Sequence, residues 1–434
     1  MRVAVIGAGI VGVTTAFELV RDGHEVTVFE RRGSVAEETS FANAGVVAPG
    51  YVTPWAAPGM PGKVLRHLLQ RHAPVRFGGW PDAATRRWLW RWWRECAPAR
   101  YVHNRSRLHR LALYSQQRLQ ALTHELGLDY EHSRGYLVLL RSAREVDAAR
   151  PALSLLGELG VRHAVLDRAG CLGVEPGLNP ATALAAGIHL PDDGVGNCRQ
   201  FAHLLRQQAQ RDGVSWHFGC EVLRVDPGKP RAQLQLRRIG PGGPGPEQTL
   251  HFDAIVLCAA LGASPMLSRH GLQLPLAAVH GYSITAALRR VEGLPEPGPR
   301  SALMDERYKV AISRLGDRVR VAGSAEIGGS PERCNDAAVA TLHRVLHDWF
   351  PGATQSAAVR PWKAARPMLP DGPPAIGATG LDGLWVNLGH GSSGWALACG
   401  SARVLADLLA GRAGEVEADG FDPGRYGRHP ARRG

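Results

Sequence analysis

The chain opens on a short unbroken apolar run, Val3 to Ile6, as expected of a strand buried on both faces of a parallel sheet. The glycine-rich hexapeptide Gly7-Ala8-Gly9-Ile10-Val11-Gly12 follows, and then Val13, Ala16, Phe17 and Val20 recur at helical spacing. Gly23 reads as the residue just past that helix, and Val26 to Phe29 as a second strand ending on Glu30. Residues 49–62 are dense in Pro and Gly and predict an irregular, stiff loop. The pattern then predicts helices over 82–126 with a stop at Gly127, a strand over Gly135–Leu140 and a helix near 142–159. Phe201 to Arg211 reads as a helix, Val214 to Phe218 as a strand, and Val222 to Val225 opens a further alternating segment. The run Pro227 to Pro246 reads as a turn-rich hairpin tip, and Phe252 to Gly262 as a buried strand running into small residues. Gly281–Ala286 and Tyr308–Ser324 alternate strongly, with Gly316-Asp317 as a hairpin turn. Last come a strand over Leu384–Leu388, the segment Gly389-His390-Gly391-Ser392-Ser393-Gly394, and a helix from about Trp395 to Leu409.

The order strand, glycines, helix, strand, acid is the dinucleotide-binding fingerprint, and each part has a physical task. Gly7 permits the tight turn, and Gly9 lets backbone N–H groups approach a pyrophosphate at the positive end of the helix. Gly12 lets helix and strand pack closely. Glu30, roughly twenty residues on, accepts from a ribose hydroxyl and argues against a phosphorylated ribose. The expected contacts in this part are Val5, Ile6, Gly7, Ala8, Gly9, Ile10, Val11, Gly12, Glu30 and Arg31. Strand–glycine–helix recurs near the C-terminus, so the nucleotide-binding parts lie at both ends and in the middle. The fold expected is α/β, a discontinuous Rossmann-like domain of residues 1–50, 191–269 and 366–420. An α+β substrate domain of 51–190 and 270–365 is built on a mostly antiparallel sheet, and 421–434 form a basic tail.

Composition narrows this further. A chain of 434 residues, 44% hydrophobic and 21% charged, suits a globular protein with two cores. No apolar run reaches the length of a membrane span, and the N-terminus enters a strand at once, which reads against a signal peptide. The seven cysteines are scattered with no C-x-x-C, which suits reduced thiols in a cytosolic protein and neither a disulfide frame nor a metal site. The net charge of +12 is partly local: Arg86 to Arg94 interleaves arginines with indoles, and Arg100, Arg105, Arg107 and Arg110 extend the bias. An interfacial helix on an anionic membrane, a nucleic-acid surface, and a helix whose Trp face packs inward all fit that segment. The inward-packed helix is the commonest origin of such a stripe, and nucleic acid the least favoured partner.

The chain resembles the FAD-dependent D-amino acid dehydrogenases of the small-subunit type, within the wider group of glycine oxidases, sarcosine oxidases and D-amino acid oxidases. The motifs are VAVIGAGIVGVTTAFEL, ETSFANAG, PGYVTPWAAPG, GYSIT, DERYKVAISRLGDRVRVAGSAEI, RPMLPDGPPAIG and NLGHGSSGWALACGSARVLADLLAGR, from residue 3 to about 412. ETSFANAG and PGYVTPWAAPG are the ones particular to the dehydrogenases. One departure is His280, where the family usually has Lys before Gly281-Tyr282-Ser283. The resemblance implies non-covalent FAD and oxidation of a D-amino acid to an imino acid, which water converts to a 2-oxo acid and ammonia. Hydride passes from the substrate Cα to flavin N5, and electrons leave for a quinone or respiratory carrier.

The site residues follow from the same resemblance. Arg366 falls where related glycine oxidases carry their carboxylate-binding arginine, a role that suits its forked donor. Tyr308, in DERYKVAISR, matches a tyrosine that helps hold the carboxylate. Tyr51 is a candidate cover, Tyr282 a candidate wall, and His390 a candidate for handling the ammonium proton. Ser40, Asn43, Ala44 and Gly45 are expected along the isoalloxazine, and Gly389, Gly391, Ser392 and Gly394 near its pyrimidine end. Val222 flanks the adenine through its backbone, and Gly262 closes on the pyrophosphate side. The expected location is cytoplasmic, with a peripheral position on the inner membrane if residues 86–110 meet lipid. The nearest alternative is an oxidase or dehydrogenase of glycine, sarcosine or a cyclic imino acid such as D-hydroxyproline. A non-enzymatic flavoprotein scaffold docking through Arg86 to Arg110 is the rival from another class.

Overall fold

The opening run forms β1 (Arg2–Ile6), and the glycine turn leads into α1 (Ile10–Arg21) and β2 (Glu25–Glu30). α1 stops where Gly23 takes φ +80°, and the N–H groups of Gly23 and His24 turn back onto the carbonyls of Val20 and Leu19. The computed structural model describes residues 1–67, 70, 72–240, 242–289, 297–355, 359 and 361–427.

β1 lies between β2 and Ala254–Leu257, parallel to both. Their six-stranded sheet has the order Ala375–Ala378, Leu384–Leu388, Ala254–Leu257, β1, β2, Ser215–Phe218, and the Ala375–Ala378 edge runs antiparallel. α1 and the helices Cys198–Arg211 and Gly394–Leu409 share one core with the inner face of this sheet, through Phe17, Phe201, Leu205, Trp395 and Leu405. A three-stranded antiparallel sheet, Cys220–Asp226, Ala232–Gly240 and Gly243–Phe252, covers the other face through Ile6, Leu234, Leu236, Ile255 and Leu257. Pro227–Pro246 is therefore mostly strand. Ala232, Leu234 and Leu236 alternate inward, and the chain reverses on either side of that strand, over residues 227–231 and between Gly240 and Gly243, with residue 241 outside the described residues.

The second large sheet has ten strands. Its main path runs Trp362–Met368, Ala277–Ala287, Arg318–Ile327, Val310–Leu315, Ala302–Asp305, Ser133–Leu140, Ala186–Val195 and Val46–Val47. Val75–Phe77 pairs with Arg318–Ile327, and Ala164–Leu166 with Ala186–Val195. Two pairings are parallel, 302–305 with 133–140 and 75–77 with 318–327, and the rest are antiparallel. The helix Asp336–Trp349 packs on one face over Ile284, Leu303 and Val321. This is the α/β architecture expected, a Rossmann-like sheet joined to a mostly antiparallel one.

The helices Ala83–Glu95 and Pro98–Leu126 fill the 82–126 region, and the second ends at Gly127 with φ +59°. The Pro/Gly loop starts as the single 3-10 turn Pro49–Tyr51 and gives way to a helix from Met60. The start of the expected tail is docked: Phe421 is fully buried and Arg425 pairs with Asp371 at 2.8 Å, while 428–434 lie outside the described residues.

Candidate active site

Val5 and Ile6 are buried in β1, and Gly7 follows at φ +103° with its N–H on Phe29 O at 2.8 Å. A Cβ on Gly7 would stand 2.9 Å from Cys258 O, and one on Gly12 only 1.9 Å from Gly7 O. Both must be glycine because the backbones cross there. Gly9 is different. Only Ser40 Oγ, at 3.5 Å, faces the place its Cβ would take, so the missing side chain leaves the start of α1 open to a ligand. Around the turn, Ala8 N–H donates to Glu30 Oε2 at 2.7 Å, Arg32 N–H to Glu30 Oε1 at 2.8 Å, and Ile10 N–H to Ser40 Oγ at 3.1 Å. Val11 lies in the first turn of α1. Arg31 forks onto Glu38 at 2.9 and 2.8 Å. Gly262 ends a 3-10 turn just after Cys258-Ala259, the pair against Gly7, and Val222 pairs with Leu236 in the three-stranded sheet. An open helix N-terminus, close-packed glycines and a carboxylate at the end of β2 fit a dinucleotide.

Residues 39–45 tie the two large sheets together. Thr39 Oγ1 donates to Ala365 O (2.8 Å), Ser283 Oγ to Ala42 O (2.7 Å) and Arg320 Nη1 to Asn43 O (3.2 Å). Gly45 N–H donates to Asn43 Oδ1 at 3.0 Å, and Gly45 O accepts from Trp395 Nε1 (3.2 Å) and Gly196 N–H (2.8 Å). Ala44 lies within this segment. Directly paired residues of a sheet share a face. Arg366 pairs with Val279, Ala364 with Gly281 and Trp362 with Ser283, so Arg366 shares the face that Ser283 presents to Ala42. The Arg366 guanidinium is half-buried, donates from Nη1 to Ser324 O at 2.9 Å, and has no carboxylate partner among the described residues. Burial lowers it to about 10.

The chain fits the family model described as FAD dependent oxidoreductase over residues 2–408. It is a member of the FAD dependent oxidoreductase family. A D-amino acid dehydrogenase of Cereibacter sphaeroides is 43% identical over 430 residues, covering 98% of this chain and 95% of that protein. One from Agrobacterium fabrum is 41% identical over 432 residues, covering 98% and 100%. The crystal structure of glycine oxidase from Geobacillus kaustophilus shares the fold, with a TM-score of 0.74 at 22% identity over 97% of each chain.

In this FAD dependent oxidoreductase the expected site residues are not all brought together. Tyr51 packs edge-on against Tyr136 at 5.5 Å, donates to Glu306 Oε2 at 2.9 Å and accepts from Lys309 Nζ at 3.0 Å. Lys309 O lies against Gly323, next to the Ser324 carbonyl that Arg366 holds, so Tyr51 connects to Arg366 through Lys309, Gly323 and Ser324. Tyr308 does not join them. It sits in the turn after Ala302–Asp305 rather than in a strand, because Lys309 at φ +51° ends the extended run. Its ring lies between the guanidinium groups of Arg141 (5.1 Å) and Arg344 (5.6 Å), against the core under Asp336–Trp349. Tyr282 also belongs to that opposite face. It is buried and donates to Glu326 Oε2 at 2.8 Å, and Glu326 pairs with Lys363 at 2.8 Å. His280, on the same face, hydrogen-bonds Gly328 O at 3.2 Å.

The second glycine segment reaches the Arg366 strand through the bridge Met368–His390. A Cβ on Gly389 would meet Leu369 at 2.3 Å and one on Gly391 would meet Met368 Sδ at 2.8 Å, both at positive φ. Ser392 lies in the 3-10 turn Gly391–Ser393, and Gly394 begins the helix. His390 is buried against Ser401 Oγ at 2.9 Å, and burial holds it down to about 3, a neutral ring. Sequence reasoning missed Arg320, which is buried, bonded to Thr285 Oγ1 and Asn43 O, and lowered to about 10 by burial. Its alternating strand was legible, but not that its face meets Asn43. Among the described residues no His, Cys, Asp and Glu group is placed to hold a metal.

The Trp/Arg segment divides. Trp88 and Trp92 are buried with Trp55, and Trp88 Nε1 donates to Met368 O at 3.1 Å. Trp90 and Trp93 stand 55% and 59% exposed, and Trp80 fully. Arg100, Arg107 and Arg110 pair with Glu95, Asp419 and Glu417, and Arg105 donates to Tyr101 Oη at 3.0 Å, so most of the basic bias after residue 94 is answered within the chain. No helix among the described residues is long and apolar enough to cross a membrane.

Proposed function

We propose that this chain oxidises D-amino acids to imino acids, which water converts to 2-oxo acids and ammonia, with electrons passed to a quinone or respiratory-chain carrier. The observation that carries the reading is Arg366, a half-buried cation with no carboxylate partner among the described residues, on the face that meets residues 39–45. Such a group is complete only when an anion arrives. Bound FAD supplies the hydride acceptor. The protein's part is to orient, neutralise and exclude water. In this reading Arg366 holds the substrate carboxylate and Tyr51, fixed by Glu306 and Lys309, covers it. His390, kept neutral by burial, braces the Gly389–Gly394 turn instead of carrying a proton. Asn43, Ala44 and Gly45 line the isoalloxazine. The division into 1–50, 191–269 and 366–420 for FAD, with 51–190 and 270–365 for substrate, belongs to the same proposal.

Selection of D over L substrates follows from the dehydrogenase relatives' names, since a carboxylate clamp alone is blind to handedness. An anaerobic spectrum tests it. The flavin band should bleach with D-alanine and persist with L-alanine. Bleaching by neither would turn the assignment to glycine, sarcosine or a cyclic imino acid, and faster turnover with oxygen than with a quinone would make the chain an oxidase.

The acceptor would be met at the cytoplasmic face of the inner membrane, through Trp80, Trp90 and Trp93 with Arg86, Arg87 and Arg94. Exposed indoles beside arginines that form no ion pair among the described residues suit an anionic interface. The expected result is co-sedimentation with anionic vesicles that weakens at high salt and is lost in Trp90→Ser/Trp93→Ser. Equal recovery of parent and variant in the pellet would remove this face from the account.

A further inference from the structure

We propose that Gly281 and Ser324 are the seat of the Arg366 guanidinium, positioning residues that set how tightly and in what orientation a carboxylate is held. The inference rests on the reading of Arg366 as the carboxylate clamp. A Cβ built on Gly281 would lie 2.3 Å from Arg366 Nη2, 2.5 Å from Cζ and 3.0 Å from Nε. The guanidinium therefore rests directly on the backbone of residue 281. The conformation of Gly281 does not call for glycine, because its φ is outside the left-handed region. Space for Arg366 is what calls for it.

The second half of the seat is a bulge. Tyr282 pairs with Gly323 and His280 with Glu326, so Ser324 and Ala325 together oppose Gly281. Ser324 takes φ +57°, a conformation that residues with a side chain rarely adopt inside a strand. Its buried Oγ has no hydrogen-bond partner among the described residues, so the hydroxyl does not explain the strain. Its carbonyl does: Ser324 O accepts from Arg366 Nη1 at 2.9 Å. Nη1 is thus tied on one side and the guanidinium is supported from below. The Nε–Nη2 edge has no acceptor among the described residues, and it is the geometry in which arginine takes a carboxylate side-on with two parallel hydrogen bonds. The clamp is set before substrate arrives, and the entropy of ordering a long side chain is not charged against binding.

The test is a double-variant cycle of Gly281→Ala and Arg366→Ala in the flavin-loaded enzyme. KM and kcat are measured with D-alanine, and the Kd of propionate, which has the carboxylate but no amine, from its perturbation of the flavin spectrum. Displacing the fork by about an ångström should raise KM and the propionate Kd about ten- to a hundredfold. Flavin content and Tm should stay at the parent values, with kcat changed far less than KM. On top of Arg366→Ala, Gly281→Ala should add nothing. A Gly281→Ala enzyme with parental KM, or effects that multiply in the double variant, would overturn the seat. If Arg366→Ala itself leaves both constants unchanged, the clamp is refuted and the seat goes with it. Ser324 gives a second pair should Gly281→Ala fail to fold. Ser324→Gly keeps the left-handed turn and should preserve KM, whereas Ser324→Val opposes it and should raise KM. Equal constants for these two would overturn the proposal.

Discussion

Arg366→Ala is the substitution on which the site turns, and its size can be worked from the structure. Burial lowers the guanidinium well below its ordinary value, to about 10, with no carboxylate partner among the described residues. At about 1.4 kcal/mol per tenfold, that is roughly 3 kcal/mol of desolvation left after the hydrogen bond to Ser324 O, with no carboxylate among the described residues to offset it. A substrate carboxylate offsets it, and without Arg366 that carboxylate enters the same half-buried place unpaired. Losing one partner of such a pair costs about 2–5 kcal/mol, so the two routes agree near 3 kcal/mol, about a hundredfold in affinity. Arg366→Lys keeps the charge and loses the fork, and should fall between. The assay is an anaerobic titration of the flavin band with D-alanine, alongside steady-state KM. Flavin content should match the parent, because Arg366 contacts the sheet and not the glycine turn. An unchanged KM would refute the reasoning, and so would loss of flavin in step with loss of activity.

Gly9→Val should give folded, colourless protein, since only Ser40 Oγ faces the new side chain at 3.5 Å, while Gly12→Ala, 1.9 Å from Gly7 O, should lower Tm as well; absorbance near the flavin band and a melting curve separate them. Lys363→Met should destabilise by about 3–5 kcal/mol, because Lys363 and Glu326 are only 3% and 4% exposed and the buried carboxylate would lose its hydrogen-bonded cation, keeping the charge of neighbouring Arg76. KM should not move in that variant, and Lys363→Met/Glu326→Leu should recover most of the Tm. His390 stays neutral in the fold down to about pH 3, whereas an unfolded histidine titrates near 6.5. The unfolded state therefore binds the extra proton between those values, and stability is complete above pH 6.5 and falls as the pH drops. His390→Gln should remove about 2 kcal/mol of the loss between pH 6.5 and 5, read as a smaller drop in Tm than the parent shows.

The dinucleotide half of the molecule was legible because its signals are local. Gly7, Gly9, Gly12 and Glu30 fall within one βαβ unit, and backbone geometry within thirty residues dictates each. The strand hidden in Pro227–Pro246 was legible too, in the alternation of Ala232, Leu234 and Leu236, but glycine and proline around it masked the period. The substrate side was harder because faces are set by register. Tyr308 and Tyr51 both look like site tyrosines along the chain. One left-handed residue, Lys309, and one bulge at Ser324 decide which face of the sheet each joins. Arg320 was missed for the same reason: nothing near it in sequence says that its partner is Asn43, far back along the chain.

The ten-stranded sheet uses its two faces for different purposes, and the buried cations on them are met differently. On the helix-covered face Arg141 meets Asp305 and Asp348, and Lys363 meets Glu326, so each buried charge is closed by another. On the face toward residues 39–45, Arg318 pairs with Glu131, but among the described residues Arg320 and Arg366 donate to carbonyls and a hydroxyl and to no carboxylate. Neutral acceptors satisfy geometry without cancelling charge, so that face stays electropositive at the cost of desolvation. A protein tolerates such a cost where an anion completes the site. Substitution of the paired Lys363 should therefore move Tm without moving KM, and substitution of Arg366 the reverse. The contrast between Lys363→Met and Arg366→Ala measures that division directly.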